Sequence, residues 1–197
     1  MKIFTSDLHF GHRRIVEFTN RGKDCLSQDN HDRWMIDLWN TEVSAGDVVY
    51  HLGDFSFFKK YEDVADVLCQ LKGNKIFIKG NHDRREHLDQ LVKDDLIAAW
   101  YDYKEIKLGD TSVVLFHYPI ASWHKQGYGA YHLHGHCHGN FKDSHGKMLD
   151  VGIDSMYNLY GVHGFIDENQ IHEIMKEKEL YLADQHRKDL SWQLAQQ

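Results

Sequence analysis

Three short apolar runs in the first half of this chain each give way, within three residues, to side chains that bind metals. Met1–Thr5 leads to Asp7 and His9, Val48–Leu52 to Gly53-Asp54, and Ile76–Ile78 to Gly80-Asn81-His82-Asp83. Apolar runs of this length, bounded by glycine and polar residues, read as strands. Between them Asn30–Val43 and Tyr61–Leu71 show helical spacing, with Trp34, Leu38 and Trp39 on one face of the first. Val64, Val67, Leu68 and Leu71 make the buried stripe of the second. Strands alternating with helices build an α/β fold, in which the loops beyond the carboxyl ends of the strands converge on one crevice. Ligands far apart in sequence can thus reach one place.

The second half is richer in strands. Tyr101–Leu108 and Thr111–Phe116 flank Gly109-Asp110, a two-residue hairpin signal with glycine first, as a type II′ turn requires. The second of these strands runs into His117; Tyr131–His134 leads to His136 and His138, and Met148–Ile153 reads as a further strand. Asp167-Glu168-Asn169-Gln170 resembles a capped helix start, and the helix continues through Ile171, Ile174 and Met175. Leu180–Gln197 extends it or forms a second helix carrying Leu182, Leu190, Trp192 and Leu194. Pro119 is the only proline, so no proline-rich linker divides the chain. The expectation is a single domain over residues 1–197, two sheets flanked by helices, with a C-terminal helical segment from about residue 167. That segment is expected to dock on the domain edge, with homo-oligomer formation through it as the alternative.

Composition narrows the partners. A net charge of −7 opposes an extended duplex nucleic-acid footprint, which needs a basic field. Small phosphorylated, nucleotide-like substrates or nucleic-acid ends fit better, with Arg13-Arg14 and Arg84-Arg85 as local basic groups. No apolar run approaches the roughly 20 residues that cross a bilayer. The N-terminus also lacks the apolar stretch of a secretory signal, so no membrane partner and a cytoplasmic location are expected. Cys25, Cys69 and Cys137 are few and odd in number, against a disulfide framework. Cys137 lies between two candidate ligands but points away from them as their i+1 neighbour, so packing is expected. Sixteen histidines exceed ordinary use and suggest metal or acid–base chemistry for some. His31, His87, His145, His172 and His186 stand in polar surroundings and are expected to be solvated.

Aspartate and asparagine oxygens and imidazole nitrogens bind divalent metals, and the inventory here is long enough for two ions. Asp7 and His9, spaced i,i+2 at an extended turn, can hold one ion together; His136 and His138 repeat the spacing between Gly135 and Gly139. The Asp54 carboxylate can bridge two ions, Asn81 supplies a neutral carbonyl oxygen, and His117 completes the set. Any one of these signals is weak; their ordered series is specific.

The series resembles the signature of the calcineurin-like metallophosphoesterase superfamily: Asp-x-His, Gly-Asp, Gly-Asn-His-Asp, His, Gly-His-x-His. Here it is filled by Asp7-Leu8-His9, Gly53-Asp54, Gly80-Asn81-His82-Asp83, His117 and Gly135-His136-Cys137-His138, with no ligand position missing. The wording from Thr5 to His12 and from Phe116 to Ile120 resembles a compact branch found in bacteria and their phages. The resemblance implies an α/β fold, a four-layer α/β/β/α sandwich of two mixed β-sheets flanked by helices, with a dinuclear centre at one end. It assigns Asp7, His9, Asp54 and His138 to one ion and Asp54, Asn81, His117 and His136 to the other, with Asp54 as bridge. It makes His82 a catalytic group, not a ligand, that protonates the leaving oxygen or stabilises charge there, with Asp83 orienting its ring.

The physics of such a centre is consistent. Two ions about 3.5–4 Å apart acidify a bridging water and clamp a phosphoryl oxygen. The bridging hydroxide attacks phosphorus in line while positive charge offsets the equatorial oxygens, and an imidazole near neutrality protonates the leaving group. Manganese, iron, zinc and nickel all suit the mixed donors, with manganese favoured. The expected substrates are phosphodiesters or nucleotide-like phosphates. A phosphomonoesterase or protein phosphatase on the same centre is the alternative, ahead of a single-metal hydrolase or a non-catalytic metal-binding scaffold. His12, Arg84 and His124 are candidate substrate contacts, whereas Trp123, His132 and His134 are expected in packing or supporting roles.

Overall fold

The structure is a computed structural model that describes residues 1–25, 30–142 and 145–181. Its first sheet contains β1 (Lys2–Thr5), β2 (Val48–His51), β3 (Asn74–Ile78), β4 (Ala99–Tyr101) and β9 (Ile166–Asp167), in the order β4-β3-β2-β1-β9. β1 to β4 run parallel and β9 antiparallel to β1. The second sheet is β5 (Tyr103–Leu108), β6 (Thr111–Phe116), β7 (Tyr131–His134) and β8 (Met148–Asp150), in sequence order. Its β5–β6 hairpin is antiparallel and the other pairs are parallel. The architecture is the expected α/β fold of two mixed sheets flanked by helices.

Alternation along each strand explains the layering. Two single-turn helices, α1 (Ile15–Phe18) and α2 (Gly22–Cys25), precede α3 (His31–Glu42). Ile3, Val49 and Phe77 of β1, β2 and β3 face α3, α4 (Tyr61–Leu68) and α5 (Arg85–Lys93), packing with Met35, Trp39, Val64, Leu68, Leu88 and Leu91. Their neighbours Phe4, Tyr50 and Ile78 point to the other side, against Val113, Leu115 and Leu133 of the second sheet. On the far face of that sheet Val114 and Met148 meet Trp123 and Ala130. Each large apolar side chain so buried contributes about 1.5–3 kcal/mol. No helix among the described residues is long and apolar enough to cross a membrane.

Several boundaries differ from the sequence reading. The apolar run expected as one strand from Tyr101 is cut at Asp102: Tyr101 pairs with Ile78 in the first sheet and Tyr103 with Phe116 in the second. One residue thus carries the chain between sheets. The run Met148–Ile153 is likewise cut, because Gly152 ends it and opens α6 (Ile153–Tyr160). Gly109 adopts φ +57° at the β5–β6 turn, as its place in a type II′ hairpin demands. The capped start at Asp167 is present in full: its carboxylate accepts from the Asn169 and Gln170 amides, and the Gln170 side chain accepts from the Asp167 amide. The helix it opens, α7 (Glu168–Lys176), stops before Leu180 and Tyr181; Leu182, His186, Leu190, Trp192 and Leu194 lie outside the described residues.

Candidate metal centre

β1 ends at Thr5, and the chain folds back on the loop after β2. The Asp7 amide donates to the Gly53 carbonyl at 2.9 Å and the His9 amide to the Asp54 carbonyl at 3.1 Å. Asp7, His9, Asp54, His136 and His138 all have positive φ, five of the seven non-glycine residues that do so among those described. Left-handed backbone costs an ordinary side chain energy and persists where its surroundings over-determine it, so this concentration marks a functional site. Glycines allow the loops to close up. A Cβ on Gly80 would stand 2.2 Å from Asp54 Oδ1, and one on Gly135 would stand 1.8 Å from Ser6 Oγ.

The loops deliver two donor groups, Asp7 with His9 and His138, and Asp54 with His117 and His136. His9 Nε2 lies 3.8 Å from Asp7 Oδ1 and 3.2 Å from His138 Nε2. In the second group Asn81 Oδ1 is 3.0 Å from His117 Nε2 and 2.9 Å from His136 Nδ1. Asp54 Oδ2 stands between the groups, 4.0 Å from His9 Nε2 and 3.5 Å from His117 Nε2. Adjacent donors held about 2.1 Å from one ion are about 3.0–3.4 Å apart in tetrahedral or octahedral array. The 2.9–3.2 Å contacts of His138 and Asn81 match this, and the 3.5–4.0 Å separations of Asp7 and Asp54 from the imidazoles are wider.

The hydrogen-bond pattern suits a cation at each place. His117 Nδ1 donates to the Leu52 carbonyl at 2.7 Å, which leaves Nε2 facing the Asn81 oxygen. Burial lowers the pKa of the ring but Asp54 more than restores it, so a proton or a metal ion suits that position. His138 Nδ1 donates to Asp154 at 2.6 Å, so its Nε2 presents a lone pair toward His9. Two acceptors facing each other are stabilised by a positive charge between them, a proton or a metal ion. Burial pushes the Asp7 carboxyl up to about 7, a demand that a neighbouring cation meets. Burial also holds the His9 imidazole well below its ordinary value, hence neutral as a ligand must be. The residues present fit divalent ions.

The His82 amide donates to Asp54 Oδ1 at 2.8 Å, and its partly exposed ring lies 4.2 Å from the Phe57 ring between centroids. The expectation that Asp83 orients this ring is corrected. Asp83 Oδ1 accepts from the Phe55 amide and Oδ2 from the Asp54 and Gly80 amides, all within 2.9 Å. Both oxygens are committed to main chain, so Asp83 ties the loop after β3 to the loop after β2. Phe57 supports the His82 ring instead.

His12 stacks edge-on against Phe57 at 4.3 Å and joins the site. Arg84 is exposed just before α5, in a hollow beside His82 and Asp83. His124 is carried away to the edge strand β5, where it pairs with Glu105 at 2.8 Å. Trp123 and His132 are buried in packing roles, and Cys137 stands outside both donor groups. His9, His12, Phe57, His82, Cys137 and His138 border an open cleft of about 310 Å³, and no lysine or arginine among the described residues lines it.

Sequence reasoning missed what stands behind the donors. Arg21 is completely buried; Nε and Nη2 donate to the two Asp154 oxygens at 2.9 and 2.7 Å. Its Nη groups also donate to the Asp7 and Leu8 carbonyls at 2.6 and 2.9 Å, which clamps the left-handed turn. Burial alone would raise the Asp154 carboxyl, but Arg21 and His138 pull it well below the usual range. His31, expected to be solvated, is buried beside Arg21 and held by Asp32, which in turn accepts from the Gly11 amide. No motif or periodicity flags Arg21, because its partners lie up to 133 residues away.

Comparison with known proteins agrees with this geometry. The family model described as calcineurin-like phosphoesterase matches residues 3–195. The gene 66 protein of Mycobacterium phage L5 is 27% identical over 199 residues, covering 86% of this chain and 95% of that protein. The gene 66 protein of Mycobacterium phage D29 is 30% identical over 182 residues, covering 79% and 89%. A solved structure of a protein of unknown function from Aquifex aeolicus superposes with a TM-score of 0.65 at 23% identity, covering 88% of this chain and 98% of that one, and shows the same fold. The chain belongs to the calcineurin-like phosphoesterase family: it is a metallophosphoesterase, a hydrolase of phosphate ester bonds.

Proposed function

We propose that this enzyme hydrolyses phosphodiester or nucleotide-like phosphates at a centre of two divalent ions. The observation that carries the reading is the pair of donor groups meeting at Asp54, each with acceptors aimed at one another. Asp7, His9 and His138 would hold one ion, Asn81, His117 and His136 the other, and Asp54 both. When bound, the ions supply Lewis acidity toward the phosphoryl oxygens and acidify water near neutral pH. Manganese is favoured for this mixture of oxygen and imidazole donors.

The chain's own groups supply the rest. The His82 ring, partly exposed on the cleft wall, hands a proton to the leaving oxygen. Its amide on Asp54 and its ring on Phe57 fix its position relative to the donors. Leu52 and Asp154 hold the Nδ1 protons of His117 and His138, so that both rings present Nε2 to the centre. His12 extends the same wall. The imidazole, phenyl and amide groups of the described cleft lining suit a singly charged diester. The net charge of −7 disfavours an extended duplex as substrate.

The test is hydrolysis of bis(p-nitrophenyl) phosphate and p-nitrophenyl phosphate by manganese-loaded protein, with metal analysis of the active sample. A higher kcat/KM on the diester and about two metal equivalents are expected. A strong monoester preference would overturn the substrate assignment. Near one equivalent in fully active protein would overturn the dinuclear one.

A further inference from the structure

Beyond the reaction end, the cleft continues. Phe18, Thr19, His138 and Asn140 border both the 310 Å³ cleft and a second cavity of about 100 Å³, whose remaining wall includes Asn20 and Asn158. The two therefore adjoin along a shared wall that includes His138, and taken together they make one polar channel. The reaction end holds His9 and His82, and the far end is lined mainly by amide and hydroxyl groups.

Two surfaces along this channel differ in chemistry. One is a ladder of rings: His82 to Phe57 at 4.2 Å, Phe57 to His12 at 4.3 Å, and His12 to Phe18 at 6.2 Å. The last rung, Phe18, is 64% exposed, with the Arg14 guanidinium 5.1 Å from its ring centroid. A phenyl group left this open at the mouth of a polar channel is a stacking platform for a flat ring. The other surface carries the amides of Asn20, Asn140 and Asn158. Asn20 and Asn158 are exposed, and no hydrogen bond of their side chains to another described residue is seen, so each amide keeps a donor and an acceptor for a ligand. A side-chain amide of that kind matches the paired donor and acceptor on a base edge.

We propose that this channel is a nucleobase subsite, with the base stacked on Phe18 and its edge read by Asn158 and Asn20, while the phosphate lies at the reaction end. The inference rests on the phosphodiesterase reading and names the substituent that reading leaves open: a nucleoside. The ring ladder alone would take any aromatic group. The amides select a heteroaromatic one that carries donors and acceptors on its edge.

The experiment compares nucleoside 5′-(p-nitrophenyl) phosphates bearing each of the four common DNA bases with phenyl p-nitrophenyl phosphate, all with manganese. The wild-type protein is expected to favour at least one nucleoside ester by about tenfold in kcat/KM, in line with base–aromatic stacking. That ratio should fall toward one in Phe18→Ala and in Asn158→Ala. Calorimetric binding of the matching nucleoside monophosphate and of phenyl phosphate to the manganese-loaded protein reads the subsite without turnover. Selective nucleotide binding that is lost in Phe18→Ala supports the subsite even if neither ester is hydrolysed, a result that would remove the phosphodiesterase reading alone. Hydrolysis of all esters with equal efficiency, or a nucleoside preference unchanged by both substitutions, overturns the subsite and leaves the phosphodiesterase reading standing.

Discussion

Asp154→Asn isolates the support behind one donor group. The Asp154 carboxylate accepts from Arg21 through both oxygens and from His138 Nδ1, with side-chain exposures of 0% for Arg21 and 8% for Asp154. An asparagine of the same shape can turn its oxygen to His138 or to Arg21, but its NH2 then faces a donor on the other side. The Arg21 guanidinium is left buried without its counter-charge. Removing one partner of a buried pair costs about 3–5 kcal/mol, and with so little exposure no solvent discount applies. For a urea slope of about 3 kcal/mol/M, the unfolding midpoint in EDTA should fall by about 1–1.7 M. Loosening the hydrogen bond that orients a metal-binding histidine weakens affinity about 10–100-fold, or about 1.4–2.8 kcal/mol. Manganese calorimetry should therefore show one weakened site, while the site containing Asn81, His117 and His136 keeps its affinity. The stability effect also has a signed pH dependence. The folded-state pKa of Asp154 lies below its unfolded value, so the stability it contributes is complete above about pH 4 and is lost as pH falls through the folded value. The gap between wild type and variant should narrow in acid. Equal weakening of both metal sites, or an unmoved midpoint, would refute the reasoning.

Three further outcomes follow from the geometry. His82→Ala should retain both metals by elemental analysis yet lose about 10²–10⁴-fold in turnover on alkyl leaving groups, with a smaller loss on nitrophenolate; metal loss from this variant would remove the assigned role. Gly80→Ala puts a methyl 2.2 Å from Asp54 Oδ1 and 2.3 Å from the Asp54 amide, so the bridging loop must move, and bound manganese should drop measurably. Gly109→Ala meets no atom within 4 Å, so only the φ of +57° opposes it, and thermal unfolding should report about 1 kcal/mol lost with activity intact.

The donors were legible because each sits directly after an apolar run whose burial could be read from local pattern. Asp7, Asp54 and Asn81 follow β1, β2 and β3 as anticipated, and His117, His136 and His138 follow β6 and β7. What local pattern conceals is any feature defined by a distant partner. Asp83 reads as a carboxylate beside a histidine, yet its neighbours in space are the amides of Asp54 and Phe55. His31 reads as one polar residue among others until α3 turns it onto Arg21. The strand break at Asp102 is invisible for a related reason: both halves are apolar enough to be strands, and only register assigns them to different sheets. His124 followed His117 closely in sequence, but the intervening segment leads it to Glu105.

The placement of the donors has a mechanical consequence. Asp7, His9, Asp54 and Asn81 hang from the first sheet, and His117, His136 and His138 hang from the second. Any ion held by His9 and His138 is thus a cross-link between sheets, closing a loop across 129 residues of sequence. In the chain-entropy picture, a covalent link closing about 100 residues removes about 4.7 kcal/mol of freedom from the unfolded chain. An ion that lets go on unfolding stabilises instead through its preference for the folded chain. The sheets then cannot part until a ligand dissociates, which ties the lifetime of the folded state to the exchange rate of the ion. Chelation of this enzyme should accordingly be read as cutting a strap as well as switching off a catalyst.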